Sequence, residues 1–108
     1  MKLPRGLFLG FVKLHVLHHA GQEATYGLWL IQELGKHGYR LSPGTLYPIL
    51  HGLEEEKLLK SERRVIEGKS RKYYFLTRTG RKALEEGKKK AQELLEELTS
   101  EAGQGSAR

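Results

Sequence analysis

The sequence predicts a mainly α fold with a small β-hairpin, and its length and two hydrophobic periods carry this prediction. The chain has 108 residues, enough for one hydrophobic core. Apolar residues recur at helical spacing in residues 7–53 and again in 78–99. Residues 60–76 are instead rich in β-branched and aromatic side chains, as in strands. The expected order is three helices, a hairpin and a fourth helix.

The first predicted helix covers residues 7–20 and is apolar on nearly every side. A helix on the surface of a globular protein needs an apolar stripe of only about 100°. A chain this small has little with which to cover the rest, so we expect a partner subunit to cover part of this helix. Its apolar residues are Leu7, Phe8, Leu9, Phe11, Val12, Leu14, Val16 and Leu17.

The second helix is predicted from residue 25 onward. Gly21 is a candidate C-terminal cap for the helix before it, and Thr25 is a candidate N-cap for the helix that follows. Gly35 and Gly38 are expected to end the second helix. The short interval between the second and third helices predicts a helix-turn-helix pair.

The third helix has a clear start signal, since Ser42 can cap it and Pro43 fits the first helical position. Pro48 leaves two alternatives open. It loses a backbone hydrogen bond if the helix starts at Pro43, but lies harmlessly in the first turn if the helix starts near Thr45. One face of this helix is apolar and consists of Leu46, Ile49, Leu50 and Leu53.

A β-hairpin is predicted over Lys60–Ile66 and Arg71–Leu76, with residues 67–70 as its tip. Successive side chains of a strand face opposite sides. Tyr74 is therefore assigned to the core side of the hairpin and Tyr73 to the outer side.

The last predicted helix, residues 78–99, has Thr77 or Thr79 as its N-cap. Its apolar residues repeat as in a short coiled coil, which predicts a dimerisation helix. The expected division is a winged helix-turn-helix domain over 1–77, the dimerisation helix over 78–99 and a disordered tail over 100–108. The apolar seam consists of Leu84, Ala91, Leu94, Leu95 and Leu98.

Composition excludes several classes of site. The chain contains no Cys, Asp or Asn, so disulfides, thiolate metal sites and a Ser-His-Asp triad are impossible. No segment is long and apolar enough to span a membrane and none looks like a signal peptide, which predicts a cytoplasmic protein. The sequence gives no reason to expect an enzyme or a cofactor.

Positive charge is concentrated around the hairpin. The whole chain has 19 basic and 13 acidic residues, whereas residues 57–90 alone have 13 basic and 4 acidic ones. Such a basic segment is the electrostatic footprint of a nucleic-acid binder. Like charges on neighbouring strands repel, so their retention also favours a polyanionic partner.

Three helices followed by a hairpin make the winged helix-turn-helix arrangement, in which the third helix enters the DNA major groove and the hairpin forms the wing. The start of this helix offers backbone N–H groups to phosphate. The predicted DNA contacts are Ser42, Gly44, Thr45, Tyr47, Pro48 and His51 of the helix, and Arg63, Arg64, Lys69, Arg71, Lys72 and Tyr73 of the wing.

The chain also resembles the PadR-like family of winged-helix transcriptional regulators. The matching strings are T-Y-G at 25–27, S-P-G-T-L-Y-P-I-L at 42–50, L-E-E-E-K-L-L at 53–59 and R-K-Y-Y-F-L-T-R-T-G at 71–80. The resemblance spans most of residues 7–98 and implies a short member with one C-terminal helix. It further implies a homodimer that binds a pseudo-palindromic operator on double-stranded DNA, usually as a repressor released by a small molecule.

The expected dimer interface and effector site follow from the helices that remain apolar outside the core. A small-molecule effector is placed between the first and last helices of the two subunits, near Phe8, Phe11 and His15. The expected interface residues are Leu7, Phe8, Phe11, Val12, Leu84, Ala91, Leu94, Leu95 and Leu98.

Histidines on the first helix allow a different function. His15 and His19 are four residues apart and share a face, and His18 is adjacent. This spacing suits zinc or nickel, with Glu23 as a further ligand, but a histidine-rich helix end next to the C-terminal dipole explains it as well. No metal site is assigned. The alternatives to a DNA-binding regulator are a winged-helix protein-interaction module and a metal-responsive regulator that uses these histidines.

Overall fold

The computed structural model describes residues 3–100 and confirms the predicted fold class. The fold consists of four helices and one antiparallel two-stranded hairpin, in the order helix, helix, helix, hairpin, helix. The elements are α1 (Arg5–Gln22), α2 (Gly27–Lys36), α3 (Pro43–Glu55), β1 (Leu59–Ile66), β2 (Lys69–Leu76) and α4 (Arg78–Thr99). None of the described helices is long and apolar enough to cross a membrane.

A single apolar core joins the first three helices to the hairpin. Each of these helices contributes its apolar stripe, and the hairpin and α4 add one side chain or two each. The core side chains with no exposed surface are Val12, Val16, Leu30, Leu34, Leu46, Leu50 and Tyr74. Deep burial of these residues fixes α3 against α2 and leaves the opposite side of α3 in solvent.

The wing is attached to the helices by backbone pairing. Thr25 and Tyr74 exchange two backbone hydrogen bonds, with N···O distances of 3.1 and 2.7 Å. The hairpin turn is tight, since Ile66 is paired with Lys69 and only Glu67 and Gly68 lie between them. Both turn residues have positive φ, 53° and 78°, as a two-residue hairpin of type I′ requires. The second strand therefore begins at Lys69, two residues earlier than predicted, whereas the first strand ends at Ile66 as predicted.

Several helix ends differ from the sequence prediction. The helix α1 continues through Gly21 to Gln22, so Gly21 is not its cap. Tyr26, not Thr25, is the N-cap of α2, because Thr25 is already paired with the wing. Ser42 is the N-cap of α3, but its hydroxyl donates to Thr45 Oγ1 at 3.3 Å and accepts no backbone hydrogen bond. The helix begins at Pro43, so Pro48 lies in its interior.

The helix α4 packs on α1 over its first half only. Thr77 caps it, since its Oγ1 accepts a hydrogen bond from the Gly80 N–H at 2.8 Å. Leu84 is buried, and Gly87 lies against Leu14 of α1. From Lys88 to Thr99 every residue is exposed. The predicted tail lies, apart from Ser100, outside the described residues.

The core includes two residues that the sequence assigned to a dimer interface. Val12 has no exposed surface and Leu84 only 5%. Both belong to the core of the single chain, so the chain itself already covers them. Their assignment to a subunit interface is wrong.

Gly80→Ala should destabilise the fold, because an added methyl group at this position would overlap the backbone carbonyl of Leu58. Overpacking against backbone costs about 1–3 kcal/mol. Gly35→Ala is the matched control, since Gly35 is also helical and has open space around its Cα. It should instead raise the free energy of unfolding by about 0.5–1 kcal/mol. Urea unfolding of both variants measures this contrast, and equal stabilities would contradict it.

Candidate nucleic-acid interface

The solvent side of α3 presents the residues predicted to contact DNA. Tyr47 is 40% exposed, and Pro48 and His51 are exposed beside it. They lie opposite the apolar stripe that faces α2, whose Leu46 and Leu50 are fully buried. Ser42 and Gly44 are exposed at the start of the helix, and Thr45 is half-buried. The helix therefore offers a polar and aromatic face that the core does not need.

The wing cations form two directly opposed pairs. Arg63 is paired with Lys72, and Arg64 with Arg71. Directly opposed residues of an antiparallel pair lie on the same face, where like charges repel. Among residues 3–100, Arg64 is the one of these four with a carboxylate partner, Glu62 at 2.8 Å. The wing therefore concentrates positive charge that the described part of the chain barely neutralises.

One pair of wing cations faces α3 across a shallow groove. The groove has a volume of about 420 Å³. Tyr47 and His51 line it from α3, and Arg63 and Lys72 line it from the wing. We call this surface the basic groove. A helix face that can enter a major groove thus lies beside cations that can contact the adjacent backbone.

The other face of the wing carries an aromatic and guanidinium stack. The Arg64 guanidinium lies 4.7 Å from the centre of the Phe75 ring, and that of Arg71 lies 4.3 Å from the centre of the Tyr26 ring. Tyr26 and Tyr73 meet edge to face at 5.4 Å. These cation–π contacts fix both guanidinium groups while keeping them charged. Lys69 lies exposed at the tip of the wing.

Tyr73 does not have the predicted exposure. It does lie on the face opposite Tyr74, but only 7% of it is exposed. The ring of Tyr26 covers it, and Arg64 lies 5.9 Å above its centre. Its prediction as an outward-facing DNA contact is therefore wrong, because a second aromatic layer covers the outer face of the hairpin.

The sequence analysis missed residues that shape the interface. Tyr26 supports Arg71, and Gly27 leaves no room for a side chain because the Tyr47 phenol lies directly against it. The T-Y-G string contains both Tyr26 and Gly27, but the sequence alone does not show that they contact Arg71 and Tyr47. Arg5 and Lys13 of α1 lie beside the exposed side of α3, with Gly44 and Pro48. No local pattern connects these basic residues to α3.

Burial lowers the pKa of two histidines on α1, His15 and His19. Desolvation is the largest cause of the lowered pKa of both His15 and His19, and neighbouring histidines add to it. His18 is exposed. Among the described residues, the fold brings together a donor group of His19, Glu33 and His37, which is neither the His15–His18–His19 trio considered as an alternative from the sequence nor a group that includes Glu23.

Comparisons with known proteins agree with this geometry. The model of the transcriptional regulator PadR-like family matches residues 16–86. The chain is 53% identical over 87 residues to the transcriptional regulator Rv3488 of Mycobacterium tuberculosis, covering 81% of each chain.

Two solved PadR-family structures superpose well on this chain. One, from Eggerthella lenta, is 33% identical with a TM-score of 0.74 and covers 86% of this chain and 82% of its own. The other, from Bacillus cereus, is 33% identical with a TM-score of 0.74 and covers 85% of this chain and 95% of its own.

The chain belongs to the PadR-like family of transcriptional regulators. This confirms the family inferred from the sequence and the prediction of a regulator, not an enzyme. The T-Y-G and S-P-G-T-L-Y-P strings meet in the structure where Gly27 touches Tyr47.

Arg63→Gln should stabilise the folded PadR-like chain, because it removes repulsion from the directly opposed Lys72. The expected gain in the free energy of unfolding is about 0.2–1 kcal/mol, and it should shrink as added salt screens the pair. Arg64→Gln is the control, because the lost ion pair with Glu62 offsets the relieved repulsion from Arg71, so that it should give no gain. Urea unfolding at low and high salt tests this; an R63Q variant less stable than the native chain at low salt would refute it.

Proposed function

We propose that this regulator binds double-stranded DNA in the cytoplasm as a homodimer and represses transcription by occupying a pseudo-palindromic operator. The observation that carries the proposal is the basic groove, where Tyr47 and His51 of α3 face Arg63 and Lys72 of the wing. Membership of the PadR-like family supports DNA as the ligand.

The groove suggests a division of labour between α3 and the wing. The exposed side chains of α3 approach base edges in the major groove, and its first turn approaches phosphate. Arg63, Lys72 and the stacked Arg71 contact the backbone of the adjacent groove. Phosphate contacts of this kind supply most of the affinity and fix the register, whereas base contacts supply specificity.

This interface also needs a glycine at position 27, because the Tyr47 phenol lies directly against it. Tyr47 occupies the space where a larger residue at position 27 would place its Cβ. A side chain there would push the phenol out of the basic groove. We therefore assign Gly27 to the support of Tyr47, although it does not itself contact DNA.

DNA affinity should fall steeply with salt, because bound Lys and Arg displace counterions from phosphate. Each phosphate contact removed should reduce the slope of log K against log salt by about 1. R63Q and Lys72→Gln are expected to show this reduction on a selected operator in fluorescence anisotropy. Lys88→Gln is the control, since Lys88 lies on α4 and pairs with Glu85 at 3.7 Å.

A salt slope near zero would exclude DNA as the ligand. A slope that R63Q leaves unchanged would instead exclude Arg63 as a phosphate contact. Regulation in cells that survives reversal of the charges at Arg63 and Arg71 would favour a protein partner for the wing instead. These outcomes distinguish an error in the contact residue from an error in the class of ligand.

The unpacked half of α4 supports the homodimer. Leu94, Leu95 and Leu98 are 53%, 56% and 66% exposed and lie at helical spacing with Ala91. A contiguous apolar stripe of this kind marks an interaction surface. Leu14 lies against Gly87, and Gly21 lies against Leu84, so α1 and α4 run antiparallel. The exposed Leu7 and Phe11 of α1 therefore lie toward the same end of the molecule as the α4 stripe.

Leu94→Glu with Leu98→Glu should convert the dimer to a monomer, because both charges would enter the proposed subunit interface. Val65→Glu is the matched control, since Val65 is 71% exposed but lies on the wing. Sedimentation equilibrium at micromolar concentration measures the mass. A monomeric native chain, or a double variant that remains dimeric, would exclude this interface.

Release by a small molecule is the last part of the proposal. A cavity of about 600 Å³ lies between α1 and the turn after α2, and Phe8 and Tyr39 line it. Phe8 contacts Tyr39 with ring centres 5.7 Å apart, and His15 contacts Tyr39 at 5.1 Å. Phe11 is exposed outside this cavity. A ligand bound here would shift α1, and with it the spacing of the two recognition helices.

A further inference from the structure

Two histidines and a carboxylate from different helices converge beside the cavity near Tyr39. One donor atom each of His19, Glu33 and His37 lies within 4.8 Å of the other two. His19 belongs to α1, Glu33 to α2, and His37 directly follows α2. Ligands of one tetrahedral zinc ion lie roughly 3.4 Å apart, as follows from bond lengths of about 2.1 Å. Small side-chain rotations therefore bring all three donors to a common metal ion.

The two oxygens of the Glu33 carboxylate lie near different side chains. Its Oε1 lies 3.3 Å from Lys36 Nζ, and its Oε2 lies 3.7 Å from His37 Nε2. Lys36 is 74% exposed, and an exposed pair of this kind contributes little stability. The hydrogen bond from Lys36 is the main cause of the lowered pKa of Glu33, which keeps the carboxylate charged. Oε2 is thus available next to the imidazole of His37.

The Nε2 atom of His19 is a second, independent observation that points to a ligand at this cluster. This atom is buried and has no hydrogen-bond partner among the described residues. Buried polar atoms in native proteins are nearly always paired with protein, water or an ion. The ring is held against Trp29 at 5.4 Å, edge to face, so it cannot turn freely toward solvent to satisfy this nitrogen.

The surrounding rings position the donors. His15 stacks on His37 with ring centres 5.2 Å apart and also touches Tyr39. Such packing restricts the His37 ring, although His37 itself is 49% exposed and can be reached from solvent. The site therefore combines an anchored donor, a charged donor and an accessible donor.

We propose that His19, Glu33 and His37 bind a divalent transition-metal ion of the zinc, cobalt and nickel class, which clamps the C-terminal end of α2 to α1. Imidazole and carboxylate donors without thiolate suit these ions. Three protein ligands leave a position for water or a further ligand. The clamp is separate from the basic groove and does not depend on DNA binding.

Cobalt(II) provides the direct test, with the full chain purified without a histidine tag. Tetrahedral cobalt gives visible d–d absorption, and the titration should saturate at one ion per chain. Zinc should displace the cobalt and raise the Tm of the chain. Glu33→Gln and His37→Ala should each weaken zinc binding at least tenfold, a loss of the size that disturbing metal ligation causes.

His18→Ala is the matched control, because His18 lies on the same helix next to His19 but is not one of the converging donors. It should bind zinc as the native chain does. Glu33→Gln keeps the shape of a partly exposed side chain, so its own Tm without metal separates lost binding from lost folding. Absence of both the cobalt spectrum and the zinc-dependent Tm shift would overturn the proposal. So would zinc binding that H18A abolishes and E33Q leaves intact.

Discussion

The backbone pairing between Thr25 and Tyr74 is the constraint on which the rest of the structure depends. A two-stranded hairpin by itself is only marginally stable in water. These two hydrogen bonds attach it to Thr25, two residues before α2, and the fully buried Tyr74 ring secures the attachment from the core side. The same contact places Tyr26 under Arg71. The positions of the wing and of the recognition helix are thus coupled through one short segment.

Electrostatic repulsion in the wing is a cost that the fold tolerates. Arg63 faces Lys72 and Arg64 faces Arg71, while the described residues provide one carboxylate partner, Glu62, for these four cations. Cation–π contacts with Phe75 and Tyr26 offset part of the repulsion without neutralising the charge. Repulsion of this kind only lowers the stability of the free protein. Binding of a polyanion would neutralise the cations and so offset this loss.

The apolar surface is divided between what the single chain covers and what it leaves exposed. Val12 and Leu84 pack into the core, whereas Leu94 and Leu98, farther along α4, are more than half exposed. The change occurs at Gly87, which lies against Leu14 of α1, because every residue from Lys88 to Thr99 is exposed. A helix that continues past its own domain with an apolar stripe has the form of an assembly element. The half that packs on the core and the exposed half therefore differ in burial within one continuous helix.

The sequence by itself determined the order of the elements and the concentration of charge on the wing, because periodicity and composition are local properties, whereas it left the start of α3 open between Pro43 and Thr45, and the structure decided for Pro43. Only the tertiary structure decided that Tyr73 is covered as well as Tyr74, since Tyr26 reaches it from another element. Likewise, spacing on one helix grouped His19 with its neighbours along α1. The packing of α1 against α2 instead places it beside Glu33 and His37, a contact between elements that no local pattern encodes.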